Sequence, residues 1–284
     1  MQIRRSARRT RPSQDFSYNG KVGDWWLKRS ADRAHQRAYG NIANFIRKSI
    51  PRDPGLILDY ACGAGNLLSL LCRHFPHSRI TGLDGSSLLL DLAEKRLSRL
   101  PPNCTRRISL TETSLPGRIS LRERADLVVY CFPNMVPSRT EEKMGGPGFR
   151  LGKQDQKIAR SLSRAREPGD DDCDIPKPQT IRRTLEYGRT VSKNLRNLLV
   201  QGGTCVRAEY ATTNRHEWSP LELLQVSFEE GSLDTAIDGT KIQPWFRVLA
   251  SAYFRSRVLE DVFQQTEDER DKNGGYLITI LRAL

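Results

Sequence analysis

Asp59 and Asp84 stand on either side of the turn Ala61-Cys62-Gly63-Ala64-Gly65, and each closes a short apolar run. The first run, Leu56-Ile57-Leu58, follows Pro54-Gly55 and has the length of a central parallel strand. Gly63 and Gly65 let the backbone pass close to a ligand where a Cβ would collide. Asp84 follows Gly65 by nineteen positions and ends the run Ile80 to Leu83. A carboxylate at such a strand end can accept hydrogen bonds from both hydroxyls of a ribose. Strand, acidic residue, glycine turn, helix and second acidic strand end is the order of parts of a nucleotide-cofactor site.

Two cofactor classes use this geometry. In a dinucleotide site a third glycine lets helix and strand pack closely beneath the pyrophosphate, and that position holds Leu68 here. The pyrophosphate reading therefore weakens. The segment Asp59-Tyr60-Ala61-Cys62-Gly63-Ala64-Gly65 closely resembles the first motif of the class I S-adenosylmethionine-dependent methyltransferases, Asp-x-Gly-Cys-Gly-x-Gly. Ala61 replaces the first glycine, which a turn accepts provided φ stays negative there. The resemblance continues in Thr81-Gly82-Leu83-Asp84-Gly85 and its following helix, and in Ala125 to Asn134 as the fourth strand. It is found again in Gln201 to Arg207 as a turn and fifth strand, and in Gly275 to Leu281 as the closing strand.

The resemblance implies an α/β fold: a doubly wound, mostly parallel seven-stranded sheet with helices on both faces. It implies S-adenosyl-L-methionine as cofactor and S-adenosyl-L-homocysteine as product. Asp59 would sit near the methionine amino group and the backbone from Ala61 through Gly63 to Gly65 near the carboxylate and ribose. Asp84, with Gly85 beside it, would take the ribose hydroxyls. Ser114 stands where family members commonly have an aspartate that reaches the adenine amino group. Cys131 would line the pocket, and Tyr18 would cover the cofactor from an N-terminal lid.

The elements that must position these residues divide the chain into three parts. Residues 1–14 carry Arg4, Arg5, Arg8, Arg9 and Arg11 with no apolar run behind them, and are expected to be a disordered basic arm, not a secretory signal. Residues 15–50 become helical, with Ala38, Ile42, Phe45 and Ile46 on one face, and form the N-terminal helical lid. Trp25 and Trp26 serve there either as lid residues or as core anchors. Residues 51–284 make the cofactor-binding domain, in which strands alternate with helices and the ligand edge lies beyond the strands' carboxyl ends. It has insertions at 135–180 and 211–256. The first is either a lid that orders on substrate binding or a disordered insertion. The second is expected to help wall an acceptor pocket with Trp218, Phe228, Trp245 and Phe246.

Composition narrows the function classes. No apolar run reaches membrane-spanning length, so no membrane partner is expected. Six cysteines without a C-x-x-C pair, and four histidines without ligand spacing, lead to expectations of reduced thiols, a cytoplasmic setting and no metal. The net charge of +13 makes nucleic acid the second-choice partner, though outside the arm the basic residues, Arg107 among them, read as scattered solvated charge. The first choice is methyl transfer to oxygen, nitrogen or carbon of a small-molecule acceptor. The alternatives are a methyltransferase acting on RNA or protein through its basic surface, and a non-catalytic binding protein of the same fold. If a general base is needed, His216, after the fifth strand, is the candidate. The oligomeric state is left open.

Overall fold

The computed structural model describes residues 4–7, 27–28, 30–113, 115, 119, 121–132, 191–212, 245–256, 258 and 274–284. Tyr18, Trp25, Trp26, Ser114, His216, Trp218 and Phe228 lie outside these residues, as do the segment 135–180 and most of 211–256.

Eight strands make one sheet: β1 (Arg4–Ala7), β2 (Leu56–Tyr60), β3 (Arg79–Asp84), β4 (Ile108–Glu112), β5 (Ala125–Cys131), β6 (Leu199–Thr212), β7 (Phe246–Arg255) and β8 (Gly274–Ala283), in the order β1-β4-β3-β2-β5-β6-β8-β7. Pairings from β1 to β6 are parallel, and β8 runs antiparallel between β6 and β7. Seven of the strands reproduce the expected mostly parallel sheet, and β1 is added at its edge. Arg4–Ala7 is therefore a strand paired with Ser109 to Glu112, where the sequence suggested a disordered arm.

The helices before β5 whose bounds lie within the described residues are α1 (Arg33–Ser49), α2 (Asn66–His74), α3 (Ser87–Leu97) and the short α4 (Pro102–Thr105). A fifth, α5, covers 191–198 and leads directly into β6. Side chains alternate across each strand, which splits the core into two layers. Ile57, Ile80, Leu110, Leu127 and Val129 pack with Ala38, Ile42 and Ile46 of α1, Leu68 and Leu71 of α2, and Leu90 and Ala93 of α3. On the other face, Leu58, Tyr60, Val128, Tyr130 and Cys205 pack with Val191, Leu195 and Leu198 of α5. The expected stripe on α1 is the buried one: Ala38, Ile42 and Ile46 are sealed and Phe45 is partly covered.

Among the described residues, no helix is long and apolar enough to cross a membrane. Two further sequence expectations are corrected. Phe246, offered as a pocket wall, is a core residue that opens edge strand β7. Arg107, read as surface charge, donates to the carbonyls of Cys72, Phe75 and Ser78 at 2.7 to 2.9 Å, tying the end of α2 to the start of β4. Those carbonyls would otherwise lack intrahelical or ladder partners.

Candidate functional site

β2 and β3 are neighbours in register, with Asp59 opposite Gly82 and Tyr60 opposite Leu83, so their carboxyl ends emerge side by side. The turn between β2 and α2 is held from both sides. Cys62 N donates to Leu83 O at 3.0 Å, Gly65 N to Cys62 O at 3.0 Å, and Gly63 N to Asp84 Oδ2 at 2.7 Å. Asp84 Oδ1 accepts from Ser86 N at 2.9 Å, and the Gly85 amide also bonds this carboxylate. The second acidic residue of the motif thus braces the glycine turn as well as facing the ligand edge.

The turn is tight. Gly63 and Gly65 take φ of 52° and 73°, and Ala61 takes φ of 63°. The negative φ expected for Ala61 is therefore wrong. Its Cβ is held in the left-handed region where glycine would be free of strain, and the surrounding hydrogen bonds impose that conformation. Gly65 also sits against α3, since a Cβ there would lie 3.1 Å from Ala93 Cβ. Leu68, which stood where a dinucleotide site has its third glycine, is accommodated from the opposite wall. A Cβ on Gly82 of β3 would lie 2.7 Å from Leu68 Cδ1 and 2.8 Å from Cys62 Sγ.

Above the turn lies a small crevice, part of it continuous with solvent. It is lined by Tyr39, Asp59, the turn from Ala61 to Ala64, Asn66, Leu67 and Cys131. Asp59 is 3% exposed, and its Oδ2 has no hydrogen-bond partner. Burial, and then repulsion from Asp84, holds the Asp59 carboxyl well above the usual carboxylate range. Burial raises Asp84 as well, although the amides of Ser86, Gly63 and Gly85 pull it back down. Cys131, at the end of β5, is a thiol pushed up by burial and then by Asp59, which makes it a neutral wall.

α1 supplies what the sequence did not reveal. Tyr39 hydrogen-bonds Asn66, and Asn66 Oδ1 in turn accepts from Gln36 Nε2 at 3.1 Å. Burial and then Cys131 and Asp59 raise the Tyr39 phenol, so it stays neutral. Asp32 caps α1 by accepting from His35 N at 2.7 Å, and its carboxylate also bonds His35 Nδ1 at 3.0 Å. Phe132, just past Cys131, has φ of 48° and is packed edge-on against His35, Tyr39 and Tyr276 at centroid distances of 5.5 to 5.7 Å. Of the two residues at positive φ, Ala61 lines the crevice and Phe132 packs behind it, next to the lining residue Cys131 and against Tyr39. Of the residues expected at the site, the structure brings together Asp59, Ala61, Gly63, Gly65, Asp84, Gly85 and Cys131. Tyr39, Asn66 and Phe132 join them without a motif to announce them, because a crevice-facing position on an amphipathic helix looks like a core position.

Residues 58–133 match a family model described as a methyltransferase domain. Over these residues, which take in the glycine turn and the strands β3 to β5, the chain is similar to that family. Demethylmenaquinone methyltransferase of Thermotoga maritima is 53% identical over 45 residues, covering 16% of this chain and 20% of that protein. Malonyl-[acyl-carrier protein] O-methyltransferase of Priestia megaterium is 34% identical over 83 residues, 29% of this chain and 28% of its own. The match thus spans less than a third of either relative. Magnesium protoporphyrin IX methyltransferase of Synechocystis PCC 6803, solved with bound SAM, superposes with a TM-score of 0.51 at 12% identity, over 94% of this chain and 93% of that one. At that identity the likeness is one of fold.

Proposed function

We propose that this chain is an S-adenosylmethionine-dependent methyltransferase acting on a small-molecule acceptor. The observation that carries this reading is the crevice lined by the buried Asp59, whose Oδ2 has no donor among the described residues, and by a glycine turn braced by Asp84. The cofactor fits what is present. A buried carboxylate oxygen without a donor suits an ammonium group, and the turn admits a ligand against its backbone. Asp84 gives its carboxylate to three backbone amides and, with about four lone-pair positions in a carboxylate, keeps room for a ribose hydroxyl.

The cofactor supplies an electrophilic methyl group on a sulfonium. The chain's own residues then have two tasks: to hold the acceptor in line and to exclude water. Asp59 and the turn fix the amino-acid end, while Tyr39 and Cys131, backed by the core residue Phe132, form the neutral wall at the end of β5. The similarity to a demethylmenaquinone methyltransferase supports a small-molecule acceptor. Buried Cys62, Cys72, Cys104, Cys131 and Cys205, none of them in a disulfide, support a reducing compartment such as the cytoplasm.

Incubation of the protein and a cell extract with methyl-labelled S-adenosylmethionine, followed by separation by size and nuclease sensitivity, tests this. Label in low-mass solutes is expected. Label confined to nuclease-sensitive or protein-sized material would overturn the small-molecule reading.

A further inference from the structure

Asp59 and Asp84 are both buried on one turn, yet their surroundings differ. Asp84 has donors on both oxygens, whereas Asp59, which lines the crevice, has an Oδ2 that is buried and meets no donor among the described residues. The titratable groups packed around Asp59 are Tyr39 from α1, Cys62 from the turn, Asp84 from β3 and Cys131 from β5. None of these is a cation. Arg96 acts on Tyr39 and Arg207 on Cys131, and neither offsets the burial of Asp59. His35, one turn along α1 from Tyr39, is engaged by Asp32.

We infer that the crevice takes up its cofactor with release of one proton, the proton Asp59 holds while no cation faces it. This rests on the proposed function, and it concerns how that cofactor is recognised. An ionised carboxylate buried without a donor or a countercharge is costly, so the ligand-free site keeps Asp59 as the neutral acid. An incoming ammonium group reverses the balance. The O–H bond of Asp59 breaks, its proton leaves to solvent, and the carboxylate that remains accepts from the ammonium as an ion pair within the crevice. The site gains one positive charge from the ligand and loses one as the proton. Affinity for any ligand bearing this amino group therefore rises with pH, by up to about tenfold per pH unit while Asp59 is still protonated in the free protein.

Calorimetric titration with S-adenosylhomocysteine near pH 6, repeated in buffers of different ionisation enthalpy, counts the protons. At that pH the ligand's α-amino group, with an ordinary value of about 7.7 to 8.0, is already charged and contributes nothing to the count. The expected result is proton release, of up to one per site, in the wild type. Binding of 5′-methylthioadenosine, which lacks the amino acid, is expected to release none. Asp59→Asn is expected to bind S-adenosylhomocysteine more weakly and without release. Wild-type binding with no proton exchange anywhere between about pH 5 and about pH 7 overturns the inference and leaves the proposed function standing. Absence of S-adenosylhomocysteine binding overturns the proposed function itself. If Asp59→Asn does not fold, the wild-type count and its methylthioadenosine control still decide.

Discussion

The backbone amide of Gly63 donates to Asp84 Oδ2 at 2.7 Å, so the carboxylate at the end of β3 holds in place the turn that follows β2. Asp84→Asn keeps the shape but turns an NH2 group toward one of the amides of Gly63 and Ser86. A buried amide left without an acceptor costs about 1 to 3 kcal/mol. Denaturant unfolding of Asp84→Asn is expected to show that loss, together with at least about a tenfold drop in S-adenosylhomocysteine affinity from the misplaced turn and the lost charge. Unchanged stability would mean that Asp84 does not brace the turn.

Ala61 sits at φ of 63°, where a Cβ is strained by about 1 to 2 kcal/mol. Ala61→Gly removes that strain, and the greater freedom of glycine in the unfolded chain takes back roughly 0.5 to 1 kcal/mol. The expected outcome is a protein as stable as the wild type or up to about 1 kcal/mol more stable. Ala61→Val, β-branched at a positive φ, is expected to be the less stable of the two by well over 1 kcal/mol. The urea midpoints of the two variants check both signs.

Leu68 and Gly82 form one packing unit across α2 and β3. Gly82→Ala drives a Cβ into Leu68 and Cys62 and is expected to cost about 1 to 3 kcal/mol. Leu68→Ala leaves a cavity and is expected to cost about 2 to 5 kcal/mol. Because each change relieves the other, the double variant should be more stable than the sum of the two by at least about 1 kcal/mol. Additive losses would break the link between the two positions.

The raised Asp59 carboxyl also makes stability depend on pH. The folded, ligand-free protein holds a proton that the unfolded chain releases near the ordinary value of 3.8. This contribution is present in full below that value and is lost as pH rises through the raised folded value. Stability is therefore expected to fall as pH rises above the ordinary carboxylate range, and less steeply in Asp59→Asn, where Asp84 alone of the pair still titrates. Superimposable profiles would show that Asp59 is not buried as an acid.

The parallel strands were legible because strands covered on both faces read as continuous apolar runs, as Leu56 to Leu58 and Leu127 to Val129 do. Asp59 and Asp84 were legible because acidic residues interrupt those runs at the ligand edge. The conformation of Ala61 was not, since alanine does not announce a left-handed backbone, which here follows from Asp84 and Leu83 pulling on the turn. β7 was hidden for a local reason. Its register shifts between Val248 and Ala250, so the alternation of apolar residues changes phase midway, and Val248 and Leu249 are left exposed. β1 read as an arm because an arginine-rich edge strand has no apolar signature. Tyr39 belongs to a helical stripe whose other members are core, and only the tertiary structure separates the one position that reaches the crevice.

A structure of the protein with S-adenosylhomocysteine would test the assignment of this crevice most directly. The account predicts the ligand's amino group within about 3 Å of Asp59 Oδ2, its amino-acid end between Tyr39 and the turn from Ala61 to Ala64, and its ribose beside Asp84. A ligand bound elsewhere, or one whose carboxylate instead of its ammonium faces Asp59, would contradict it.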